Sequence, residues 1–201
     1  MRKPLIIAAI TVILTVILFT ALNVSSEDSS KIPLNEAITE ITIVGDDLFV
    51  NRCQDAITLL HAHAYYELLF VLEHIDEIKL TPDTDHYGYV DRVNKIFYVS
   101  DKYDENCNND HDYGDLQSGA DWLPYVLAGG MVHEATHVWI YDEYLQEGKN
   151  KYSEYMFDSR LEEERYCVTR QIETLKLIGA PEWLVRNYEL WLENIESEQW
   201  W

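Results

Sequence analysis

His133, Glu134 and His137, in the run HEATH, put two imidazoles and a carboxylate at a spacing suited to metal chemistry. Four residues apart on a helix, the two histidines project from one face, one turn above the other. They can then occupy neighbouring corners of one tetrahedral zinc ion. Glu134, beside the first histidine, lies close enough to take a proton from an activated water without being a ligand. The segment that must carry these groups is apolar on nearly every side, through Tyr125, Val126, Leu127, Met131, Val132, Val138, Trp139 and Ile140. It therefore reads as a central, buried helix. Buried imidazoles and a buried carboxylate are costly unless paired or coordinated, which favours a metal site over a polar stripe on an ordinary amphipathic helix.

Two histidines need a third protein ligand and an open position before the ion can work on a substrate. Residues 146–151 hold no histidine at the short downstream spacing, so a carboxylate on a later helix is expected. Glu162, Glu163 and Glu164 are the candidates. At about 100° per residue, Leu161, Val168, Ile172, Leu175 and Ile178 define a buried face. Glu164 falls near its middle, whereas Glu163 lies about 100° away and Glu162 further still. The phase thus selects Glu164 as the third ligand and predicts Glu162 and Glu163 as solvated charges. Gln171 shares the face and can hydrogen-bond behind a ligand.

Around this pair of helices the pattern predicts an α+β fold with a small antiparallel or mixed sheet. Residues 39–44 alternate like a short strand before Gly45. Residues 51–74 repeat at three- and four-residue spacing as one long helix. Short strands are predicted at 76–80, 87–90 and 95–99, the last two joined as a hairpin. A polar loop covers 101–121, and the metal helix runs from about 121 to Gly148. The glutamate helix spans 160–178, and a last amphipathic helix follows Pro181. That last helix reads as packing.

The chain has 201 residues and a formal charge of −21, from 15 Lys+Arg against 36 Asp+Glu. Nucleic acid is a poor partner for such a surface. Arg2 and Lys3 precede an uncharged apolar run over 5–22, the pattern of an export signal. Residues 1–24 read as a signal anchor or signal peptide, 25–33 as a polar linker and 34–201 as one domain outside the cytoplasm, periplasmic or extracellular, secreted or membrane-anchored through its N-terminal segment. In such a compartment cysteines can pair. Of the three, Cys167 borders the buried face of its helix and reads as a free thiol, leaving Cys53 and Cys107 as the expected disulfide.

His133, Glu134 and His137, followed by Glu164 27 residues after the second histidine, resemble the small gluzincin-type zinc metallopeptidases, in the manner of the minigluzincins. The resemblance spans residues 95–179 in the order edge strand, motif helix, glutamate helix. It implies an antiparallel edge strand that borders the cleft and pairs with the substrate backbone, matched here by residues 96–99. The helix reads Glu164-Arg165-Tyr166-Cys167, without the Glu-Ala and downstream Asp of many gluzincins. The expected function is hydrolysis of peptide bonds in a peptide or protein substrate, with Zn2+ held by His133, His137 and Glu164 and with Glu134 as general base. Tyr141, Tyr152 and Tyr155 are candidates for the donor facing the oxyanion. Two other readings stay open: a non-catalytic, metal-containing binding or structural module on the same fold, and a hydrolase of non-peptide amides.

Overall fold

The computed structural model describes residues 31–82, 87–102, 122–146 and 159–195. Met1–Ile32 and Pro33–Trp201 separate as two units, and every helix and strand named below belongs to the second. The export segment and its linker lie almost entirely outside the described residues, and no helix among those described is long and apolar enough to cross a membrane. A short helix, α1 (Leu34–Glu40), leads into strand β1 (Thr42–Val44). The strand predicted from residue 39 is thus helical through Glu40. Asp46 then caps α2 (Asp47–His63), its side chain accepting from the Phe49 N–H at 2.8 Å.

The single long helix predicted for 51–74 is instead two, α2 and α3 (Tyr65–His74), separated by Ala64 at φ −138° and ψ 54°. Ala64 still donates to the Leu60 carbonyl and accepts from the Leu68 N–H. The apolar face consequently stays in phase across the kink, with Leu60 and Leu68 both fully buried. For that reason the periodicity carries no trace of the break.

Strands β2 (Glu77–Thr81), β3 (Gly88–Asp91) and β4 (Ile96–Ser100) start one residue later than the pattern predicts. The sheet is mixed, in the order β1-β2-β4-β3. β1 and β2 run parallel, as do β2 and β4, with Ile78 opposite Phe97; β3 closes antiparallel on β4, with Val90 opposite Phe97. The parallel step from β1 to β2 requires a crossover, which α2 and α3 supply. Ile78, Phe97 and Val99 form the fully buried face, while Tyr89 and Tyr98 stack on the other with centroids 4.9 Å apart. The segment 96–99 is therefore not an edge strand but an interior one. Its hairpin partner β3 takes the edge, because β4 satisfies its second side by pairing with β2.

Helix α4 (Leu123–Gln146) carries the motif and packs against α2, α3, the following helix and β3. Val126, Leu127, Met131, Val132, Val138 and Ile140 are at most 1% exposed, each contributing about 1.5–3 kcal/mol of transfer free energy. Gly129 and Gly130 let its neighbours close in just before His133. A Cβ on Gly129 would meet Gln171 Cγ at 3.1 Å, and one on Gly130 the Tyr87 ring at 3.3 Å. Helix α5 (Arg160–Leu177) starts at Ser159, whose hydroxyl accepts from the Glu162 N–H at 3.2 Å. Gly179, at φ 72°, ends it in a Schellman turn, with Ala180 N–H on the Leu175 carbonyl and Gly179 N–H on that of Lys176. Helix α6 (Glu182–Asn194) follows Pro181.

Cys53 is a free thiol, 0% exposed on α2. Of the expected Cys53–Cys107 pair it is the one cysteine described, and it occupies the inner face of α2 as a small apolar group. Cys107 lies outside the described residues.

Candidate metal centre

The 3.6-residue repeat of α4 brings the His133 and His137 rings to 4.9 Å between centroids, with the two Nε2 atoms 3.2 Å apart. From α5, Glu164 reaches both: Oε2 lies 3.4 Å from His133 Nε2 and Oε1 3.3 Å from His137 Nε2. The closest donor atoms of these three residues are thus separated by 3.2–3.4 Å. A tetrahedral zinc with bonds of about 2.0–2.2 Å needs donor-to-donor separations of about 3.3–3.6 Å. The nitrogen-to-nitrogen and nitrogen-to-oxygen separations are close to that range, with each imidazole facing a different oxygen of Glu164.

Each imidazole is oriented from behind. His133 Nδ1 donates to Gln171 Oε1 at 3.1 Å, and His137 Nδ1 donates to Glu163 Oε1 at 2.6 Å. Holding the proton on Nδ1 leaves the Nε2 lone pair for a metal. Trp191 of α6 lies along the His133 ring, centroids 6.5 Å apart and planes 27° from parallel. The last helix thus helps to line the site in addition to packing.

Glu163 is the main departure from the helical-phase reading. Instead of being solvated it is 1% exposed, bound to His137 and to Arg92 Nη2 at 2.8 Å. The buried arc of α5, from Glu163 and Cys167 round to Ile172, spans about 180° rather than a narrow stripe. Glu163 stands at its border, where the β3–β4 turn covers it. Glu162 is exposed. Arg92 gave no signal in the sequence because it is a single cation in a turn, 45 residues from His137.

Cys167 adds a second grouping. Its Sγ lies 3.5 Å from His137 Nδ1, and buried His133, His137 and Cys167 offer ligand atoms within 4.8 Å of one another, a set that could hold a metal ion. The His137 nitrogen that lies 3.5 Å from Cys167, Nδ1, is also the one bonded to Glu163. Burial also pushes the Cys167 thiol up, only partly offset by His137, so it resists becoming the thiolate a metal requires.

In the metal-free cluster, burial works against a charged His137, but its bonds to Cys167, Glu163 and Glu164 outweigh that and raise it well above the ordinary histidine value. Burial likewise opposes ionisation of Glu164, yet hydrogen bonds from His133 and His137 hold it well below the usual carboxylate range. A dication would replace the histidine proton as the partner of Glu164.

Glu134 is 9% exposed and forms no hydrogen bond or ion pair with the described residues. A carboxylate so placed needs water, a substrate group or a cation near it. Tyr141 is half-buried further along α4, and Tyr152 and Tyr155 lie outside the described residues. Comparison with protein families, with characterised proteins and with solved structures finds no match.

Proposed function

We propose that the protein is a zinc-dependent peptidase in which His133, His137 and Glu164 hold the ion and Glu134 is the general base. The observation that carries the reading is the 3.2–3.4 Å spacing of the three donors, beside a nearly buried carboxylate with no partner among the described residues. Two imidazoles and one glutamate are a ligand set of catalytic zinc sites, which leave a fourth position open. Bound there, zinc supplies a Lewis acid that polarises the scissile carbonyl and acidifies water. Glu134 accepts the proton of the attacking water on its carboxylate and delivers it to the leaving nitrogen. Glu163 and Gln171 keep the imidazoles oriented throughout. A peptide substrate is favoured by β3, an edge strand that packs on α4 and can accept an extended chain by strand addition. With residues 1–24 as an export segment, the domain would act outside the cytoplasm, secreted or tethered to the membrane.

The test is Glu134→Gln against wild type on a proteome-derived peptide library read by mass spectrometry. The variant keeps its zinc and loses the wild-type cleavage products, because an amide is no base. Identical products from both proteins would refute the assignment. The grouping with Cys167 favours the second reading, a non-catalytic module that retains a metal through His133, His137 and Cys167. It predicts no Glu134-dependent cleavage, and metal loss in Cys167→Ala rather than Glu164→Ala.

A further inference from the structure

The β3–β4 turn is built more firmly than a surface hairpin requires. Asp91 Oδ1 accepts from the Val93 and Asn94 N–H groups, both at 3.1 Å, and Oδ2 accepts from Asn94 Nδ2 at 2.7 Å. Lys95 sits at φ 54°, in the left-handed region where a side chain is disfavoured. It is held there from both ends. Its carbonyl accepts from Asp76 N–H at 2.9 Å, while Nζ reaches Asp142 on α4 at 3.0 Å and the Glu73 carbonyl on α3 at 3.3 Å. A turn tied in this way to α3, α4 and β2 has little freedom to swing.

What it presents to the interior is Arg92. The guanidinium Nη2 lies 2.8 Å from Glu163 Oε1 and 3.3 Å from His137 Nδ1. The same Glu163 oxygen receives the His137 N–H at 2.6 Å. One carboxylate oxygen therefore serves a cation from the sheet and an imidazole from the metal helix. The orientation of the imidazole follows that of the carboxylate oxygen it bonds, and Arg92 is held against that same oxygen. With both partners in place the oxygen's two lone-pair directions are taken, and the ring is fixed.

We propose that Arg92 is a positioning residue for the metal centre: it clamps Glu163 so that His137 holds Nε2 toward His133 and Glu164. The inference rests on the metal site assigned above. It adds that metal retention depends on a hairpin distant in the chain, with Arg92 45 residues before His137. Its leading strand β3 borders the same helix.

The experiment measures zinc affinity by competition with a chromophoric chelator, and the visible absorption of the Co2+-substituted protein, on the full chain. Arg92→Gln binds zinc about 10–100-fold more weakly, the usual effect of losing a partner behind a ligand, and its Co2+ bands shift. Arg92→Lys, which keeps a cation against Glu163, recovers most of the affinity. Asp91→Ala leaves Arg92 in place but frees the turn, so it weakens zinc several-fold; its polar contacts are exposed, and it serves if Arg92→Gln does not fold. A merely structural role would lower the melting temperature of the metal-free protein and leave the Co2+ spectrum unchanged. Wild-type affinity and an unaltered spectrum in the Arg92 and Asp91 variants overturn the proposal. Failure of the wild-type protein itself to take up zinc would overturn the metal assignment on which it stands.

Discussion

Replacing Glu164 by alanine removes one of the three proposed donors and should leave the helix that carries it intact, since Glu164 is only part-buried on α5. Four-ligand zinc sites bind with about 10–16 kcal/mol, or about 2.5–4 kcal/mol per ligand. Losing one ligand should then weaken zinc by about 10²–10³-fold at 1.4 kcal/mol per decade. The effect reaches stability through linkage. Zinc at about 1,000 times its dissociation constant adds about 4 kcal/mol to the wild-type fold, equivalent to about 8–16 °C for a domain of this size. The variant at the same zinc concentration should retain less than half of that increment. Thermal melts with and without chelator, together with elemental analysis of the purified proteins, give both readings. Glu164→Ala that keeps one zinc per chain with the wild-type melting increment, while Cys167→Ala loses it, would show that the ion prefers the thiol and that the spacing argument is wrong.

The metal-free cluster sets a pH window. The folded-state value of His137 is raised above 6.5, so its contribution is fully present below about 6.5 and is lost as pH rises through that folded value. The value of Glu164 is lowered from 4.5, so its contribution is present above about 4.5 and is lost as pH falls through the lower folded value. Chelator-treated protein should therefore lose stability in melts above about pH 6.5, while zinc, which needs His137 deprotonated, binds more weakly at about pH 6 than at about pH 8. Gly129→Ala brings a Cβ to 3.1 Å from Gln171 Cγ and 3.3 Å from Leu175. Its helix-propensity gain of about 1 kcal/mol is outweighed by overpacking of about 1–3 kcal/mol, and displacement of Gln171 from His133 weakens zinc; denaturant titration and chelator competition check both. Cys53, 0% exposed with its thiol pushed by burial up to about 12, should resist alkylation in the native protein and react only on unfolding, as mass spectrometry of iodoacetamide-treated samples would show.

Local pattern was enough for the parts of this protein whose physics is local. Helical spacing puts His133 and His137 on one face, and the apolar surroundings make α4 a buried helix, because both follow from a 3.6-residue repeat within one segment. Strands β2, β3 and β4 were legible to within a residue from alternation and turn chemistry, and Gly179 and Pro181 mark the α5–α6 boundary by their backbone restrictions. The phase of α5 set Glu164 and Gln171 on a common face for the same reason. Tertiary structure decided everything that depended on a partner from elsewhere in the chain. Which hairpin strand lies at the edge was set by β4 pairing with β2, a choice that alternation along either strand does not encode. The kink at Ala64 preserved the apolar phase and so left no mark in the sequence. Cys53 is a buried free thiol on the inner face of α2, a placement that cysteine counting does not supply. Most consequentially, Glu163 changed from a solvated acid to a buried partner of His137. Its position on α5 lies at the rim of the apolar arc, where exposure depends on the covering element, and here that element is the β3–β4 turn with Arg92.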